Sequence, residues 1–175
     1  MIVADADVAS DTWGERCAAF ITGAADVSAV EEVLADTLNE DRARANDVAA
    51  RAAATIKALA QASRDLSGAV SGVAAALEGR PDEVTIPAIG ALAALGGADH
   101  LSSLTDVIGD VERSDAVRIS AARALGDIAT RTKLRPAGEA LQTLASVLSS
   151  DASIAVRQAT ALGLGRANLD AEQRA

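Results

Sequence analysis

The chain has 175 residues and a formal net charge of −9, with one Trp, one Phe and no Tyr. It also contains 43 alanines, and alanine favours helices over strands, so the composition predicts an all-α protein. The scarcity of aromatic residues excludes a surface that stacks nucleic-acid bases. A single His and a single Cys exclude a His/Cys zinc site and an intramolecular disulfide framework.

The negative charge is concentrated near the N-terminus. Residues 1–47 contain 11 acidic and three basic residues. Such an acidic region repels phosphates and anionic membranes, so we expect neither nucleic acid nor a membrane as a partner. Solubility is an alternative reason for the charge. The chain shows no secretory signal and no long apolar segment, which predicts a cytoplasmic protein. The excess of Arg over Lys and the alanine content indicate a GC-rich, bacterial genome.

The first predicted element is an N-terminal helix or cap within residues 1–26. Its apolar stripe comprises Val8, Trp13, Cys17 and Phe20. Cys17 is interpreted as a small buried residue. Trp13 is interpreted either as a core residue or as an exposed anchor for a partner.

Four helical pairs are predicted next, over residues 27–62, 66–97, 100–131 and 136–168. Their second helices contain similar apolar stripes that begin 36, 33 and 39 residues apart, at Val48, Val84, Val117 and Val156. A period of this length is typical of stacked helical repeats. Residues 24–63 contain neither Gly nor Pro, so one long helix remains an alternative to the first pair.

Turn and capping residues separate these helices. Ser114-Asp115 and Ser149-Ser150-Asp151 are predicted to cap the second helices of their pairs. Pro136 is predicted to open a helix, and Gly96-Gly97 to end one with a left-handed cap.

The segments DAVRISAARALGDIA (115–129) and SIAVRQATALGLG (153–165) resemble the second helices of HEAT and HEAT-like repeats. This resemblance implies a right-handed α-α superhelix, that is, a solenoid of about four antiparallel helix pairs within one domain over residues 1–175. It also implies a polar ladder between stacked repeats, to which Asp115, Arg118, Asp151 and Arg157 correspond. The second repeat has Thr85 at the Arg position, so the ladder is expected to be incomplete there. Tetratricopeptide repeats have a similar period but rely on large aromatic residues, which are scarce in this chain, so they rank second as an interpretation.

Candidate chemical motifs are weak. Asp5, Asp7 and Asp11 depart from an EF-hand loop, and Gly163-Leu164-Gly165 lacks the rest of a dinucleotide fingerprint and indicates close helix packing instead. His100 is interpreted as a surface residue at a helix start. We therefore predict no catalytic residue, metal or cofactor.

The second helices provide the candidate binding surface. Positions outside their buried stripes hold small residues in the first two repeats and polar residues in the last two. A smooth surface at one end and a charged one at the other are expected to bind a partner. The candidate residues are Ala54, Gly90, Arg123, Asp127, Gln158 and Arg166. A basic loop is predicted at Arg131, Lys133 and Arg135. It is interpreted either as a binding site for an acidic peptide or a phosphate, or as a solvated turn.

These patterns favour a non-catalytic scaffold that binds another protein, with oligomerisation open. One alternative is an enzyme-associated HEAT-like module, resembling bilin-lyase subunits or DNA glycosylases. The acidic, aromatic-poor composition argues against the glycosylase alternative. The other alternative is a purely structural segment of a larger protein.

Overall fold

A computed structural model describes residues 45–62, 66–97, 99–133 and 135–167. All regular secondary structure in these ranges is helical, which confirms the all-α prediction for the described chain. The predicted N-terminal helix, the first helix of the first pair and the residues Asp5, Asp7, Asp11, Trp13 and Cys17 lie outside the described residues.

Seven α-helices make up this described chain. They are α1 (Ala45–Gln61), α2 (Val70–Ala75), which follows a 3-10 turn at Ser67–Ala69, α3 (Asp82–Leu95), α4 (His100–Gly109), α5 (Asp115–Thr132), α6 (Gly138–Ser150) and α7 (Ile154–Arg166). None of them combines the length and the apolar character needed to cross a bilayer. Contacts divide the chain into two compact units, the first ending at Leu95 and the second beginning at Gly96.

In the first unit, α3 packs against both α1 and α2. Its core combines branched side chains with alanines. Ile56 of α1 and Leu92 of α3 are fully buried, and so is Leu66 before the 3-10 turn. Because alanine adds only a methyl group, the helices in such a core approach closely, and the few large side chains fill the space that remains.

In the second unit, the helices form two layers. Helices α4 and α6 contact each other in one layer, α5 and α7 contact each other in the second, and α4–α5 and α6–α7 join the layers. Leu104, Ile108, Leu125 and Ile128 are fully buried in the core. Each helix therefore buries one stripe in the core and leaves another exposed, as an amphipathic helix requires.

Serine side chains cap α5 and α7 at equivalent positions. Ser114 Oγ accepts a hydrogen bond from Val117 N, and Ser153 Oγ accepts one from Val156 N, both at 3.3 Å. The capping prediction is confirmed for Ser114. It is wrong for the Ser149–Asp151 segment, because α6 continues through Ser150 and α7 begins after Ser153. This leaves Asp151 available for contacts outside its own turn.

Two other turn predictions are also wrong. Positive φ angles in the described chain occur at Gly79, Lys133 and Gly138, so α3 ends without a left-handed glycine cap at Gly96-Gly97. Pro136 is buried and lies before Ala137, the N-cap of α6, so it does not open the helix.

Candidate functional site

Equivalent stripes of α5 and α7 face one groove on the second unit. On α5 the stripe repeats every four residues at Ile119, Arg123 and Asp127, and on α7 the lining residues follow at intervals of three or four. This spacing places side chains on one face of a helix. The groove has a volume of about 340 Å³ and is lined by Ile119, Arg123, Asp127, Ala155, Gln158, Ala159, Leu162, Gly163 and Arg166.

Charged groups in this α5–α7 groove are partly paired. Arg166 Nη1 lies 2.8 Å from Asp127 Oδ1, and both side chains are more than half exposed. An ion pair this exposed contributes little to stability, so it remains exchangeable with a partner's charges. Arg123 is exposed and has no ion-pair partner within the described part of the chain.

An apolar side chain lies among these polar groups. Leu162 is 71% exposed and lines the groove together with the half-buried Ile119. A large apolar side chain with this exposure gains little free energy from burial in the folded chain. Contact with an apolar side chain of a partner would bury it and provide that gain. The α5–α7 groove therefore offers an apolar contact flanked by an arginine and an amide.

The structure brings four predicted residues together in this groove: Arg123, Asp127, Gln158 and Arg166. Sequence reasoning missed Leu162 and Ile119, although both occupy the same stripes as the predicted residues. The stripe pattern was the available signal, but it does not distinguish an exposed leucine from a buried one.

The predicted smooth surface belongs to the first unit. Ala54 is exposed on α1, and Gly90 is half-buried on α3. A Cβ atom on Gly90 would stand 3.4 Å from the Lys57 Cδ atom. The aliphatic part of Lys57 therefore lies beside Gly90 and adds a charged side chain to a surface expected to hold small residues alone.

The predicted ladder residues meet across helical pairs. Both side chains of the Arg118–Asp151 ion pair are only 4% exposed. Arg118 Nη1 donates to Asp151 Oδ1 at 3.4 Å, its Nη2 pairs with Asp151 Oδ2, and its Nε donates to the Ile108 carbonyl at 2.8 Å. Arg118 thus connects the last turn of α4 to the loop between α6 and α7.

The same loop makes two further contacts. Ser153 N donates to Asp151 Oδ1 at 2.9 Å, and Ser153 Oγ donates to Asp115 Oδ2 at 2.6 Å. The hydrogen bond from Arg118, assisted by that from Ser153 N, lowers the pKa of the Asp151 carboxyl below its ordinary value of 3.8, against the opposing effect of burial. Arg157 is half-buried and attracts Asp151 electrostatically, without donating a side-chain hydrogen bond to any described residue.

Helices α5 and α7 touch where two glycines meet. A Cβ on Gly126 would stand 3.0 Å from the Gly163 Cα, and a Cβ on Gly163 would overlap the Ala122 carbonyl oxygen. The close-packing interpretation of the Gly163–Gly165 motif therefore holds at Gly163. It is wrong for Gly165, where a Cβ would meet nothing within 4 Å.

Within the described ranges, no three His, Cys, Asp or Glu side chains come close enough to form a metal cluster. His100 begins α4, and its Nδ1 accepts a hydrogen bond from Gly97 N at 3.3 Å. Its observed contact is thus with the backbone of its own turn. Comparison of the chain with models of known families and with curated proteins gives no significant match.

Proposed function

We propose that this chain is a non-catalytic scaffold of the HEAT-like solenoid type, and that the α5–α7 groove binds another protein in the cytoplasm. The solenoid proposal is supported by equivalent features of successive helical pairs. Ser114 and Ser153 cap α5 and α7 in the same way, and Arg118 joins one pair to the loop of the next. Such a stack displays side chains on a stiff support.

The exposed Leu162 within a groove of polar residues carries the binding proposal. Single exposed apolar residues are common, but this one lines a concavity together with Arg123, which has no ion-pair partner among residues 45–62, 66–97, 99–133 and 135–167. Protein interfaces are enriched in arginine, with apolar contacts at their centres and polar residues at their rims. Because most lining residues are exposed, the groove suits a few side chains of a partner helix better than an enclosed small molecule.

Selection from a displayed library of helical peptides tests this proposal. We expect the wild-type chain to enrich peptides with an apolar anchor and an acidic residue one helical turn away. Leu162→Asp and Arg123→Glu should each weaken the binding of these peptides by about tenfold or more. Val111→Asp is the matched control, since Val111 is 72% exposed but lies outside the groove.

Two results would contradict the proposal: no enrichment above background, or enriched peptides that bind the Leu162→Asp and wild-type chains equally well. The small-residue surface of the first unit is tested separately with Ala54→Glu and Gly90→Glu. Unchanged assembly and peptide binding in both variants would remove Ala54 and Gly90 from the proposed interface.

A further inference from the structure

The face of α5 that docks α7 has a counterpart on α7 itself. Ser153 follows Ser114 by 39 residues, and both serines cap their helices through the same contact. The same offset relates Ala122, Gly126 and Arg118 of α5 to Ala161, Gly165 and Arg157 of α7. The two helices thus carry the same residue types in the same register.

On α5 these positions form an occupied interface. Ala122, Gly126 and Arg118 are buried. The first two leave room for the close approach of Gly163, and Arg118 holds the aspartate that precedes α7.

On α7 the corresponding positions are open. Ala161 and Gly165 are exposed, Arg157 is half-buried, and the nearby Ile154 is 61% exposed. Gly165 has no packing requirement within the described chain, although glycine inside a helix is less stable than alanine. Its small size is useful if another backbone approaches at that point, as α7 approaches Gly126.

We propose that this outer face of α7, formed by Ile154, Arg157, Ala161 and Gly165, docks a helical hairpin of a partner protein. The hairpin resembles α6–α7: it has an aspartate in the loop before its second helix, which pairs with Arg157, and a glycine or alanine where that helix crosses α7.

Charge favours this partner over a second copy of the same face. Helix α7 contains Arg157 and Arg166 but no acidic residue. Two copies packed face to face would bring their Arg157 guanidinium groups together without a carboxylate from either helix. An aspartate-bearing hairpin provides the complementary charge, as Asp151 does for Arg118. The surface is separate from the tested groove positions Leu162 and Arg123, so either proposal can fail without the other.

The first experiment uses a fluorescently labelled polypeptide with the sequence of residues 129–167, which contains the α6–α7 hairpin, and titrates it with the full chain. We expect saturable binding that weakens by about tenfold or more with Gly165→Leu or Arg157→Ala in the chain, or with Asp151→Asn in the probe. Ala145→Leu, an equally bulky change at an exposed position of α6, is the matched control and should bind like the wild type.

A tethered version covers the case in which the free hairpin does not fold. Residues 168–175 are replaced by a second copy of residues 129–167, and the free energy of unfolding is measured with urea. We expect Gly165→Leu to destabilise this extended chain but not the parent. Equal effects in both chains, together with no binding of the free hairpin, would overturn the proposal. If circular dichroism shows that the free hairpin is folded and it still docks only when tethered, the assignment to a separate protein is overturned.

Discussion

At the scale of single residues, the second unit contains buried polar groups in two contrasting situations. The Arg118–Asp151 pair is hydrogen-bonded from several directions. The Thr160 hydroxyl is buried and has no hydrogen-bond partner among the described residues. A buried hydroxyl without a partner loses its bonds to water and gains none in return. Thr160 is therefore a position where the native residue reduces stability.

Replacing Thr160 with valine is expected to raise the free energy of unfolding by about 1 kcal/mol, because the variant keeps the shape and removes the unsatisfied hydroxyl. Thr105→Val is the control, since the equally buried Thr105 Oγ1 donates to the Leu101 carbonyl at 2.8 Å. That variant should be destabilised. Urea denaturation of both variants checks the prediction, which fails if they shift in the same direction.

Asp151→Asn is expected to lower the free energy of unfolding by about 3 kcal/mol, because it leaves the buried Arg118 guanidinium without an opposing charge. Asp127→Asn is the exposed control and should change stability by less than about 1 kcal/mol. A loss at Asp151 no larger than at Asp127 would contradict a stabilising role for the buried pair.

The same pair predicts a pH dependence. The pKa of Asp151 is lowered in the folded chain from its ordinary value of 3.8, so its contribution to stability is fully present above that ordinary, unfolded-state value. It is lost as the pH falls through the lower folded-state pKa. The difference in stability between the wild type and Asp151→Asn should therefore shrink below about pH 4. Denaturation at a series of pH values measures this, and a constant difference down to pH 2 would contradict it.

At the scale of elements, the two glycines Gly163 and Gly165 of α7 differ in their surroundings. Gly163 is needed for close packing against α5, whereas Gly165 has no neighbour within 4 Å of an added Cβ atom. Sequence reasoning identifies the pair as a close-packing signal, but it does not say which glycine lies at the helix crossing. The register between α5 and α7 decides this, and it depends on contacts between residues far apart in the chain.

Gly163→Ala and Gly165→Ala are therefore expected to have opposite effects. The first places a methyl group against the Ala122 carbonyl and should destabilise the chain by about 1–3 kcal/mol. The second meets no neighbour and should stabilise the helix by about 0.5–1 kcal/mol. Thermal and urea unfolding measure both. A destabilising Gly165→Ala would show that Gly165 packs against another part of the chain.

At the scale of the whole molecule, the helical class followed from local information. Alanine content and apolar periodicity predict helices without knowledge of tertiary contacts. Ser114 is predicted to be an N-cap because it directly precedes a helical segment. The pairing of Arg118 with Asp151 across 33 residues, the burial of Thr160 and the exposure of Leu162 depend on how helices meet. Four groove residues, Arg123, Asp127, Gln158 and Arg166, are nevertheless predictable from the sequence. Residues spaced three or four apart lie on one face of a helix, whatever that helix packs against.

The overall charge predicts that the chain does not bind DNA at physiological salt. With 25 acidic residues, 16 basic residues and two aromatic residues, the composition of the chain disfavours extended phosphate contacts and base stacking. Fluorescence anisotropy with single-stranded and double-stranded DNA at about 150 mM salt should show no saturable binding. Saturable binding under these conditions would favour the glycosylase-like alternative over the protein-binding proposal.

Arg118 also has a mechanical consequence. Through one planar guanidinium group it holds the α4 carbonyl of Ile108 and the Asp151 carboxylate, so a displacement of the α6–α7 loop pulls directly on the end of α4. Water is largely excluded from this link, so bending the second unit stretches hydrogen bonds in a medium where they are strong. The second unit is therefore expected to resist bending, because bending it would stretch the hydrogen bonds of Arg118.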